Sequence, residues 1–265
     1  MCFLMIENLL IILSFNFIVI TILWLSSLKT RRADFIDIYW GPSFFFSTAI
    51  IYFLDNDYSL PKIIVLSLVG LWGLRLGIYL FSRNIRKSED IRYVKIREYR
   101  GDFGLFYTAY LIQVILICIV SFPMQSLSMA PNNLDLNVFG VIAIIIALLG
   151  IIIETISDIQ LTKFKSEKNN KDKLMDKGLW FYSRHPNYFG DSIFWWGISL
   201  FCFSISYNLL IFISPIIMTY LLLKVSGVSL LEKTIAKKKE GYDNYIKSTS
   251  SFIILPKKNI KEKES

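Results

Sequence analysis

Seven long apolar blocks, roughly 2–25, 36–54, 60–82, 104–123, 137–160, 187–204 and 207–226, dominate this 265-residue chain. A run of about 20 apolar residues crosses a bilayer as a helix, because a helix satisfies its backbone hydrogen bonds within the segment. Apolar residues make up 54% of the sequence and aromatics 15%, more than one globular core of this size could hide. The expected architecture is an all-α, multi-pass transmembrane bundle of about seven spans, a single integral membrane domain over 1–255. A charged tail, 256–265, is expected to be disordered. The first block is too long for a signal-peptide core and no small-residue cleavage site follows it, so it reads as a retained helix.

The loops alternate in charge. Lys29, Arg31 and Arg32 follow the first block, and Arg83, Arg86, Lys87, Arg92, Lys95, Arg97 and Arg100 follow the third. Lys163, Lys165, Lys168, Lys171, Lys173 and Lys177 follow the fifth, and the tail after 232 is rich in lysine. The intervening loops have Asp55 and Asp57, or Pro131-Asn132-Asn133, and almost no cations. The positive-inside rule then places the N-terminus outside and the C-terminus in the cytosol. This topology accounts for the net charge of +8, so the basic balance does not imply a nucleic-acid partner. Cys2, Cys118 and Cys202 lie far apart without metal-ligand spacing, which argues against a zinc site or a disulfide framework.

Ionisable residues inside apolar blocks need a partner, a hydrated cavity or a function. Asp37 stands near the start of the second block, and Arg75 in the third is close enough to the cytosolic end to snorkel in part. Glu154 and Asp158 are four residues apart, hence on one helix face, which continues through Thr162 to Lys165. Two readings stand for this stripe. Its acids could hold ribose hydroxyls and its lysine a phosphate, or it is a solvated helix end with internal ion pairs.

The stretch "SRHPNYFGD", 183–191, holds the only histidine of the chain. Pro186 suits a first helical turn, so a helix starts near His185 and turns its free N–H groups toward the interface, an arrangement that attracts anions. Arg184 adds a guanidinium fork suited to phosphate oxygens. Asn187 and Asp191 share a face and could bond an amide or hydroxyl, while Tyr188 offers a flat wall. His185 alone reads as structural, and Trp195 and Trp196 read as lipid-facing or interfacial aromatics.

At these residues the chain resembles the steroid 5-alpha-reductase superfamily, and within it the DUF1295 branch. "ETISDIQLTKFK" and "SGVSLLEKTIAKKKEGYDNYIKSTSSFIILP" are similar to that branch, as are "DIYWGPSF" and "LWGLRLGIYLFSRNIRKSEDIRYVKIRE", so the likeness covers about residues 34–256. It implies a membrane-embedded reductase that uses NADPH to reduce an activated carbon–carbon double bond in a lipid-like or sterol-like substrate. The cofactor region would be the C-terminal part from about 137. Glu154, Asp158 and Lys165 would lie near the adenosine and its phosphates, and Arg184, Asn187, Tyr188 and Asp191 near the nicotinamide half. Tyr242 and Tyr245 match a C-terminal cofactor loop. Asp37 would polarise the substrate, with Tyr39 or Tyr79 as the hydroxyl. The host membrane would be the plasma membrane in a bacterium or the endoplasmic reticulum in a eukaryote.

Two other functions remain open at this stage. Isoprenylcysteine and phospholipid methyltransferases have stretches like "RHPNY", so a lipid methyltransferase using S-adenosylmethionine is one. A lipid-binding membrane protein without catalysis is the other.

Overall fold

A computed structural model describes residues 2–56, 58–85, 87–130, 136–170, 173–225, 227–228, 232 and 241–258. Each of the seven apolar blocks is mostly helical over its described residues. Helices α1 (Cys2–Thr30), α2 (Phe35–Leu54) and α3 (Leu60–Asn84) lead into α4 (Ile91–Leu105). A π-helical turn, Phe106–Leu111, joins α4 to α5 (Ile112–Val120), and α6 (Phe122–Ser128) follows. Then come α7 (Val138–Ser166), the single turn α8 (Leu179–Tyr182), α9 (Pro186–Ser206), α10 (Ile213–Tyr220) and α11 (Tyr242–Ser248). Five segments are long and apolar enough to cross a membrane: Leu4–Thr30, Leu60–Asn84, Ile91–Val120, Val138–Ser166 and Pro186–Ser206. No strand occurs among the described residues, where one isolated parallel bridge joins Ser183 to Ser250. The molecule is therefore an all-α membrane bundle.

Arg86, Lys171, Pro131-Asn132-Asn133, most of the lysine-rich stretch 229–240 and residues 259–265 of the expected disordered tail lie outside the described residues. The tail's first residues are anchored, with the Lys258 N–H donating to the Ser248 carbonyl at 2.8 Å.

The chain forms two compact units, 1–140 with 202–214, and 141–201 with 215–265. In the first, α2 and α3 touch backbone to backbone. A Cβ on Gly41 would lie 2.5 Å from the Gly73 carbonyl oxygen, so only glycine permits this approach. Helix α1 is fixed by amides. Asn8 donates to Ser128 Oγ at 2.7 Å, and the fully buried Asn16 donates to Ser47 Oγ at 2.8 Å.

The fourth span begins earlier than its apolar pattern predicts. Residues 91–103, expected as a basic loop, are helical because Asp90 caps the helix by accepting from the Arg92 N–H at 2.9 Å. Pairing relieves the charge of this section, with Arg97 meeting Glu89 at 2.7 Å. Gly101, at φ 68°, separates the charged half from the apolar half. The seventh block is also less regular than expected, since 3₁₀ (Leu209–Phe212) and π (Leu221–Val225) turns flank α10.

Candidate functional site

In the second unit α7 and α9 approach through glycines. A Cβ on Gly150 would lie 2.4 Å from the Phe194 nitrogen, and one on Gly190 would lie 2.5 Å from the Glu154 nitrogen. This closeness brings the acidic turn of α7 beside the first turns of α9. Glu154 and Asp158 are both buried, and Asn187 donates its amide to Asp158 Oδ1 at 3.3 Å. The Asn187 amide oxygen is buried and accepts nothing among the described residues. Asp191 lies one turn further along α9 and is buried. The stripe and the motif, read separately in the sequence, thus form one polar cluster through Asp158 and Asn187. Lys165 is exposed near the end of α7. Tyr188 stacks on His185, with ring centroids 5.6 Å apart and planes 7° from parallel.

Arg184 is buried rather than open as an anion fork. Its Nε donates to Glu232 Oε1 at 2.8 Å, and Nη1 donates to the carbonyls of Ile246 at 2.8 Å and Thr249 at 3.0 Å. The Nε hydrogen and both Nη1 hydrogens are committed, so no parallel pair of N–H groups is left for two phosphate oxygens. The same Glu232 oxygen lies 3.4 Å from His185 Nε2. Burial works to raise the Glu232 carboxyl, but the nearby His185 ring and the hydrogen bond and charge of Arg184 outweigh it and hold it below its ordinary value.

The C-terminal segment is laid against the start of α9. The Arg184 N–H donates to the Ser250 carbonyl at 2.8 Å, Ser183 Oγ to the Phe252 carbonyl at 2.7 Å, and the Leu255 N–H to the Tyr182 carbonyl at 3.2 Å. Tyr242 and Tyr245 are buried, with centroids 6.2 Å apart, and the Tyr245 hydroxyl donates to the Trp180 carbonyl. Burial first, and the Glu232 charge second, raise the Tyr242 hydroxyl. These two tyrosines anchor the segment inside the fold. Trp195 is also fully buried, contrary to the lipid-facing place its sequence context suggested, and Trp196 donates to Thr219 Oγ1 at 3.2 Å.

The two residues expected to polarise a substrate both lie in the first unit, in separate clusters. Asp37 accepts from the Tyr93 hydroxyl at 2.5 Å and from Arg92 Nη2 at 3.1 Å. Tyr39 instead donates to Asn16 Oδ1 at 2.9 Å, and Tyr79 lies under the Arg83 guanidinium at 5.8 Å. Tyr93 and Glu232 are the site residues that sequence reasoning passed over. Both fall inside the stretches that carried the resemblance, "DIRYVKIRE" and "LLEKT".

Fold and site together define a multi-pass helical membrane protein with buried carboxylates clustered between two of its helices. The chain belongs to the family described as DUF1295, protein of unknown function, whose model matches residues 23–249. This family lies within the steroid 5-alpha-reductase-like superfamily. The chain is similar to the uncharacterized protein C594.04c of Schizosaccharomyces pombe, at 24% identity over 213 residues. That match covers 70% of this chain and 62% of the relative, so the chain spans about three-fifths of the relative's length. No solved structure matches.

Proposed function

We propose that this protein is a membrane-embedded, NADPH-dependent reductase of an activated carbon–carbon double bond in a lipid-like substrate. The observation that carries the reading is the contact of buried Asp158 with half-buried Asn187, whose amide oxygen is buried and unpartnered among the described residues. A carboxamide below the headgroups needs both an acceptor and a donor. Asn187 Oδ1 supplies an acceptor there, with Asp191 one turn away. Buried Glu154 and Asp158 suit ribose hydroxyls, and exposed Lys165 suits phosphate. The fit is poorer at Arg184, which on this reading positions the C-terminal segment and the start of α9 instead of gripping phosphate as a fork.

NADPH, when bound, supplies the hydride. The protein must orient its ring and polarise the substrate. Orientation falls to Asn187 and Asp191. The polarising pair is Asp37 with Tyr93, whose proton, held on Asp37, is shared with the substrate carbonyl, while the Tyr39 hydroxyl serves Asn16. Arg92 on the other Asp37 oxygen keeps this carboxylate fixed. A hydrogen bond at a carbonyl conjugated to the alkene stabilises the negative charge that develops after hydride arrival. The host membrane is the plasma membrane in a bacterium or the endoplasmic reticulum in a eukaryote.

Ribose-binding acids would also serve S-adenosylmethionine, so binding decides between the two. Purified protein should retain radiolabelled NADPH and not labelled S-adenosylmethionine. The reverse preference would make it a methyltransferase, and binding of neither would leave a lipid-binding role.

A further inference from the structure

Hydroxyls inside helices commonly bond back to the carbonyl one turn earlier. This chain follows that habit at Thr48 to Phe44 (2.7 Å), Ser157 to Ile153 (2.6 Å) and Ser206 to Cys202 (2.9 Å). Ser199 breaks it. The residue is 0% exposed, yet its hydroxyl makes no hydrogen bond among the described residues. Leaving such a group dry forfeits hydration without replacement.

Ser199 is not isolated on α9. Asn187, with its unpartnered amide oxygen, lies twelve residues earlier, about 18 Å along the axis at 1.5 Å per residue. Asp191 and Trp195 stand between them at four-residue steps, and both are buried. Four-residue steps trace one continuous ridge of a helix. Off this ridge the polar groups of the same stretch are paired, Ser192 and Trp196 both with Thr219 Oγ1, and Phe194, Ile198 and Phe201 are each at 0% exposure.

We propose that this ridge is hydrated: a row of ordered water molecules runs along α9 from Asn187 past Asp191 and Trp195 to Ser199 and carries protons. Water is the ligand that the chemistry selects. Asn187 Oδ1 only accepts, while the Ser199 hydroxyl donates and accepts, and a molecule that does both can satisfy each in turn. A purely apolar occupant would satisfy neither. The use of the row as a proton supply rests on the reductase reading. There, the carbon next to the one that receives hydride takes one proton from the row. Bulk water refills the row with one proton, so hydride and proton together balance the two new C–H bonds.

Two tryptophans give a matched test. Trp195 and Trp72 are both 0% exposed, and Trp72 packs against Phe44 with centroids 6.0 Å apart. X-ray radiolysis converts bound water to hydroxyl radicals that oxidise neighbouring side chains, read by mass spectrometry on the full chain in detergent. Trp195 should be oxidised while Trp72 stays silent. Ser199→Val, which fills the space of a water, should lose the Trp195 signal, whereas Ser199→Ala should keep it. A Trp195 as silent as Trp72 would overturn the hydrated ridge, and so would a signal unchanged in a folded Ser199→Val. Oxidised Trp195 in a protein that binds no NADPH would uphold the ridge while removing the reductase reading.

Discussion

Glu232 lies 2.8 Å from Nε of Arg184, 48 residues away in sequence, and this contact joins the start of α9 to the segment that follows it. Arg184 also holds two main-chain carbonyls of that segment, at Ile246 and Thr249. It therefore acts as a clasp for residues 241–258.

Arg184→Ala should open the clasp. A hydrogen bond to a charged group contributes about 1.5–3 kcal/mol, so losing even one raises the open population roughly tenfold or more. Hydrogen exchange over 241–258 should accelerate accordingly, with α7 unchanged. The clasp is also acid-sensitive. The folded value of Glu232 is depressed, so its contribution is complete above the unfolded value of about 4.5 and fades as pH falls through the folded value. Exchange corrected for its intrinsic rate should show this acid opening in the parent and not in Glu232→Gln.

Asn187→Ala and Asp191→Ala should still bind NADPH but lose most single-turnover hydride transfer. On the proposed reading, phosphates would dominate cofactor affinity while these two side chains would orient the ring, so that misorientation falls on the chemical step. Equal losses of binding and rate would show that the pair contributes to affinity and not to alignment.

Tyr93→Phe should lower turnover by about 10²–10³, the usual range for losing a hydrogen-bond donor aimed at developing negative charge. Tyr39→Phe should change it little, because that hydroxyl serves Asn16. Steady-state rates for the two variants at saturating NADPH make the comparison, and the opposite ranking would return the role to Tyr39.

Gly190→Ala should destabilise the second unit. Its methyl would stand 2.5 Å from the Glu154 backbone nitrogen and 2.8 Å from the Gly150 carbonyl oxygen, with no flexible side chain to yield. Overpacking of this kind costs about 1–3 kcal/mol, readable as a lowered midpoint of thermal unfolding in detergent.

The cation pattern of the loops predicts an extracytoplasmic N-terminus and a cytosolic C-terminus. A reporter fused after Ser265 should be active only in the cytosol, and periplasmic or lumenal activity would reverse the topology.

The helical blocks were legible because length and hydropathy alone demand membrane helices. The start of α4 was not, since Arg92, Lys95, Arg97 and Arg100 look like loop cations until Asp90 and Glu89 are seen to cap and pair that stretch. At the site, four-residue spacing showed that Glu154 and Asp158 share a face, and the proline marked the start of α9. Spacing could not show that Arg184 is consumed by Glu232, or that Tyr93 and not Tyr39 meets Asp37. Those pairs are separated by 48 and 56 residues, and no periodicity connects residues so far apart.

The two amides of α1 have a further consequence. Asn8 and Asn16 are eight residues apart and engage Ser128 and Ser47, while much of the remaining helix surface is exposed leucine, isoleucine and phenylalanine. Apolar side chains gain little by leaving lipid for protein, so greasy contact alone cannot tell one rotation or depth of α1 from the next. Sliding the helix by one residue would misplace both amides together. These two side chains make α1 readable in a single position, as two notches do for a key.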